Sequence, residues 1–199
     1  MRVAALVAVT AIAGCGGDSP ICTERVDKAI CWPELAHVPQ GSAILGTGVH
    51  AFEPMPDVLK LEYGPQSGYD VVAHAQMSGF DPGNLQDILT PGNPRTRIRA
   101  YFADSNVPLN RFVVCPFRTA YTRAKSGHHD YELPGGVGII FDVCWRSDRL
   151  IGKQVRLELE VMDDCGGYTT DVKTVTLGPP EGDYPIETNT PGCPPVAEP

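Results

Sequence analysis

Beyond residue 13 the sequence has no apolar stretch near the roughly 20 residues that a membrane-crossing helix needs, so no helical span is expected downstream. Positive charge is scarce as well: 16 Lys and Arg stand against 24 Asp and Glu, for a net charge of −8. A chain this acidic repels phosphate backbones and anionic headgroups, and nucleic acid is not expected as a partner. Helical periodicity is nearly missing, with room for one helical turn at 84–89. There is no Gly-x-Ser-x-Gly elbow, no His-Glu-x-x-His and no phosphate-cradling loop. No enzymatic activity and no cofactor are therefore expected.

What is present is alternation. Leu59, Leu61 and Tyr63 share one parity, as do Val71, Ala73, Ala75 and Met77, then Ile98, Ala100 and Phe102. Val137, Ile139, Phe141 and Val143 follow, and the cleanest run is Val155, Leu157, Leu159 and Val161. Period-two patterns of this length predict strands with one buried face. The 21 Gly and 19 Pro punctuate them, as in Gly64-Pro65-Gln66-Ser67-Gly68, Asp81-Pro82-Gly83-Asn84 and Pro134-Gly135-Gly136. Many short strands between turns predict a single all-β domain packed as a sandwich.

The N-terminus reads differently. Arg2 is a minimal basic region, and Val3 to Ala13 is apolar or small, the form of an export leader. The run ends at Ile12-Ala13-Gly14-Cys15, which resembles the lipobox of bacterial lipoproteins. That resemblance implies a signal peptide at 1–14, cleavage before Cys15, and diacylglycerol and palmitate on Cys15. The mature chain would then carry 15 basic against 24 acidic residues, a net −9. The non-acidic Gly16 and Gly17 imply sorting to the outer membrane, so the expected location is the bacterial cell envelope, with the lipid anchor as the membrane partner. Several acyl chains on one residue hold firmly, at about 0.8 kcal/mol per buried CH₂.

From Gly152 to Leu177, the run Val-Arg-Leu-Glu-Leu-Glu-Val, the turn Asp163-Asp164-Cys165-Gly166-Gly167 and the run Thr169 to Leu177 resemble the final hairpin of immunoglobulin-like and PKD-like domains of bacterial surface proteins. The implied fold is an all-β, immunoglobulin-like antiparallel β-sandwich over 42–178. A lipidated tether and a small cysteine-containing segment at 15–41 precede it. Residues 179–199, with seven prolines, form a Pro-rich C-terminal tail.

Arg95, Arg97 and Arg99 alternate with Thr96, Ile98 and Ala100, which places three guanidiniums on the solvent face of one strand. They could make an anion site. In an immunoglobulin-like order, however, Arg156, Glu158 and Glu160 lie on the antiparallel neighbour, and a cross-strand charge ladder is the stronger expectation. His128, His129 and Asp130 are metal-ligand types, but adjacent residues coordinate one ion poorly, so no metal site is expected there. Asp163 and Asp164 at the hairpin tip, with Asp171 across it, could offer oxygens to Ca²⁺, yet three carboxylates are too few without backbone carbonyls and a turn is the preferred reading. Tyr63, Gln66 and Tyr69 could stack on a sugar, although packing across strands is the commoner use. Single histidines such as His74 are expected at a surface or boundary. Trp32 and Trp145 each follow a cysteine and are expected to cover disulfides.

Setting Cys15 aside leaves six cysteines, an even number in an exported chain, which predicts three bridges among 15 possible connectivities. Cys22 and Cys31 are near neighbours and are expected to pair. An immunoglobulin-like strand order favours Cys115 with Cys165 and Cys144 with Cys193, and another order would exchange them. The function expected from all of this is a non-enzymatic, lipid-anchored envelope module that binds or braces a protein or glycan of the envelope or exterior. A metal- or carbohydrate-binding accessory lipoprotein is the alternative.

Overall fold

The computed structural model describes residues 38–64, 68–87, 92–110, 115–127, 129–142, 144–164 and 166–181. In chain order the strands are β1 (Val38–Pro39), β2 (Ser42–Thr47), β3 (Glu53–Pro54), β4 (Val58–Lys60), β5 (Glu62–Gly64), β6 (Gly68–Ser78), β7 (Arg95–Phe102), β8 (Phe117–Arg118), β9 (Thr122–Arg123), β10 (Tyr131–Glu132), β11 (Val137–Ile140), β12 (Gln154–Met162) and β13 (Gly167–Gly178). One helical turn, α1 (Ser147–Leu150), stands between β11 and β12. The turn that had room at 84–89 is instead held near its start by Asp87 N–H donating to the Asn84 carbonyl.

The strands form two sheets. In the first, β13, β12, β7 and β8 are consecutive antiparallel neighbours, and β1 and β4 both join the far edge of β13 in parallel. In the second, β6 is the spine, flanked antiparallel by β2, β5, β10 and β11, with β3 on β2 and β9 on β10. Val38 and Pro39, ahead of the expected start at 42, are paired with Gly167 and Tyr168 of β13.

Alternation decides which side chains meet between the sheets. Val155, Leu157, Leu159 and Val161 of β12 are fully buried, and so are Val71, Ala73, Ala75 and Met77 of β6. Ile98, Ala100 and Phe102 of β7, with Ile139 and Phe141 around β11, complete one apolar layer. Each buried aliphatic or aromatic side chain contributes about 1.5–3 kcal/mol relative to exposure, so the interleaved rows hold the sheets together. Trp145 packs edge-on against Phe102 with centroids 4.9 Å apart, so its ring lies against the core. Asp171 fastens the open side, its Oδ2 accepting the Leu45 N–H of β2 at 2.8 Å.

Two polar positions depart from the exposure expected of the outer face. Arg95 begins β7 on the outer face yet is only 1% exposed, because Asp164 and Arg118 close over that end. His74 is fully buried rather than at a boundary, because distant loops cover the outer face of β6.

Candidate functional site

The outer face of the first sheet carries the densest arrangement of charge. Its rows follow from the register: Arg97 faces Glu160, Arg99 faces Glu158, and Tyr101 faces Arg156, with β13 adding Thr170, Val172 and Thr174 alongside. Glu160 accepts from Arg97 Nε, from Arg99 Nη2 at 2.9 Å and from the Tyr168 hydroxyl at 3.1 Å. Arg99 also lies 3.2 Å from Glu158, which takes Arg156 Nε at 2.9 Å. The result is a ladder in which Arg97, Glu160, Arg99, Glu158 and Arg156 alternate in sign. The guanidiniums of Arg156 and Arg99 sit 5.0 and 5.8 Å from the Tyr101 ring centroid, which holds them flat against the sheet. Burial pushes the Tyr168 hydroxyl up to about 12, and the Glu160 charge and hydrogen bond add to this against the pull of Arg97 and Arg99. The cross-strand ladder expected from alternation together with an immunoglobulin-like strand order is therefore present, with Arg95 removed from it.

A pair such as Arg99 with Glu158, 30% and 22% exposed, contributes little by itself. A double-mutant cycle on Arg99 and Glu158 should give a coupling below about 1 kcal/mol that shrinks further in molar salt. Urea melts of the four proteins at two salt concentrations measure it, and a coupling of several kcal/mol would show that the ladder is an internal structural element.

A second constellation lies at the hairpin tip. Arg118 holds Asp164 with both terminal nitrogens, at 2.9 and 3.0 Å, while Arg95 Nη2 and the Gly92 N–H at 3.1 Å take its remaining lone pairs. Burial raises the Asp164 pKa, but the Arg118 and Gly92 hydrogen bonds and the charges of Arg95 and Arg118 outweigh it, and the net shift is downward. Asp163 accepts the Gly167 N–H at 2.7 Å, closing the turn. Asp171 stands opposite Leu159 in mid-strand, away from the tip, and is engaged by Leu45 and by Lys173 at 3.3 Å. The three carboxylates thus serve three separate purposes. The turn reading holds for Asp163, and the guanidinium partners of Asp164 were not foreseen because Arg118 is remote in sequence.

The remaining candidates are dispersed. Asp130 is exposed, and its N–H donates to the Ser78 hydroxyl at 2.9 Å; His129 is half-buried and His128 lies outside the described residues. Among the described residues no three His, Cys, Asp or Glu side chains cluster in a way that could hold a metal ion. Tyr69 is a core residue, with Tyr63 edge-on to it at 5.4 Å, and Gln66 lies outside the described residues. Cys115 and Cys144 are disulfide-bonded cysteines that do not titrate. Cys15, Cys22, Cys31, Cys165, Cys193 and Trp32 lie outside the described residues, as do the leader and most of the tail. No helix among the described residues is long and apolar enough to cross a membrane. No protein-family model, no curated protein and no solved structure matches this chain.

Proposed function

We propose that this chain is a non-enzymatic, lipid-anchored envelope protein, attached through Cys15, whose sandwich is an immunoglobulin-like module that binds or braces another envelope or extracellular component. The observation that carries the reading is the registered ladder on β7, β12 and β13. Its guanidiniums, carboxylates and aromatic rings are held in place before any partner arrives, which lowers the ordering cost of recognition. The strand order supports the immunoglobulin-like reading, since β7, β12 and β13 are consecutive antiparallel neighbours and the edge of β13 is closed by early strands in parallel. On this reading Cys115 pairs with Cys165 and Cys144 with Cys193 in an oxidising compartment, and the tail 179–199 is held by the second bridge.

Two results test the proposal. A palmitate analogue should label the full chain in a bacterial host, and Cys15→Ser should abolish the label. A photo-crosslinker at Val172, which is 50% exposed beside the ladder, should give a discrete adduct that one at Ile140, 40% exposed on the other sheet, does not. An unlabelled wild-type chain would remove the anchor, and equal crosslinking from both faces would remove the ladder as the docking surface.

A further inference from the structure

His74 and Gln76 occupy the face of β6 turned away from the core, where alternation ordinarily puts solvated side chains, yet both are fully buried. Two loops cover them. Residues 48–52 bring the Phe52 ring edge-on to the imidazole, centroids 6.0 Å apart, and across Gly46, where any Cβ would strike that ring at 2.4 Å. Residues 124–127 lie on Gln76: the Ser126 carbonyl accepts from its Nε2, and Gly127, at φ 98°, approaches so closely that a Cβ would fall 2.3 Å from Oε1. The covers meet where Lys125 Nζ reaches the His50 carbonyl at 3.5 Å. Beneath them the His74 ring nitrogens have no well-formed hydrogen bond, the Ala75 backbone being the polar group that bears on them, and Gln76 Oε1 has no partner. The charged groups acting on the ring are Glu132 of β10 and Lys125 of the second cover; β2 presents Gly46, and the first cover presents Phe52 and carries a second titratable side chain, His50.

We propose that residues 48–52 and 124–127 form an acid-released cover over β6, with His74 as the group whose protonation opens it. An imidazolium carries two donors, and the closed pocket offers them only the Ala75 backbone and the charge of Glu132, which do not offset the loss of water. Burial lowers the His74 pKa below 6.5, more than the Ala75 backbone and the Glu132 carboxylate raise it, and the Lys125 charge lowers it further. A ring with a depressed pKa when closed and an ordinary one when open binds its proton preferentially in the open form. Closure is then complete above about pH 6.5 and weakens as the pH falls toward the closed-state value. The opening equilibrium constant then rises from pH 7.5 to pH 5 by at most about thirtyfold, the limit set by the ordinary 6.5 of the open ring. Opening would expose Gln76 and Glu132 on the sheet opposite the charge ladder, so this inference stands apart from the docking reading.

An NMR titration of His74 in the full chain, with amide protection factors for both covers and for β12, tests it. The expected result is a His74 midpoint below 6.5 and cover protection falling by up to about thirtyfold between pH 7.5 and pH 5, with β12 unchanged. His74→Gln and His74→Phe should each abolish the acid response, and retained β12 protection shows that each variant is folded. A wild-type midpoint at or above 6.5 overturns the proposal without recourse to either variant. So does an acid response that survives in a folded variant.

Discussion

Replacing Asp164 by alanine should destabilise the protein by about 3 kcal/mol, the low end of the cost of breaking a buried ion pair. Arg95 is the reason. Its side chain is 1% exposed, so its charge has lost nearly all contact with water, and Asp164 is a carboxylate paired with it. Arg118, at 16%, recovers part of its hydration once the carboxylate is gone, which keeps the expected cost from the top of the range. For a domain of this size the change lowers the melting temperature by about 6–12 °C. The pH dependence has a definite sign. Asp164 has a folded-state pKa below its ordinary 3.8, so its contribution is fully present above that value and is lost as the pH falls through the lower folded one. The gap between wild type and Asp164→Ala should stay constant from pH 7 to about pH 5 and close in stronger acid. Urea melts across that range measure it, and equal stability at pH 7 would mean that Arg95 does not depend on this carboxylate.

Leu157→Ala should cost a similar amount, about 2–5 kcal/mol, by a different route. Leu157 is fully buried in the central strand β12, and its backbone is paired on both sides, to Ala100 of β7 and Lys173 of β13. A strand paired on both sides and packed against the facing sheet collapses poorly around a cavity, so the packing lost is not recovered. One strand away, Thr174 points outward beside Arg156, and Thr174→Ala should change stability by less than about 0.5 kcal/mol. Denaturant midpoints for the two variants compare the faces of one sheet, and equal losses would contradict the inward and outward assignment.

The ladder was legible because alternation within two strands needed only one antiparallel pairing between them, which the immunoglobulin-like resemblance implied. Once Arg97 faces Glu160, a period of two brings Arg99 to Glu158 without further information. Arg95 has the same parity as Arg97 and Arg99 but lies at the strand end, where β8 and the hairpin tip supply Arg118 and Asp164 as a lid. Parity states which face a side chain leaves from and says nothing of what later segments place over it. The same reason applies to His74 and Gln76, whose outward parity was correct and whose burial depends on loops 22–28 residues earlier and about 50 residues later in the chain.

The sequence by itself determined the all-β class, the inward rows of β6, β7 and β12, and the outward charges of β7 and β12. These are local consequences of a repeating backbone geometry, and each can be read from residues two apart. The tertiary structure decided the burial of Arg95 beneath Asp164, the separation of Asp171 from the hairpin tip, and the enclosure of His74. Each of these depends on which remote segment closes over a strand, a choice made by packing and desolvation across the whole sandwich and carried by no short stretch of the chain.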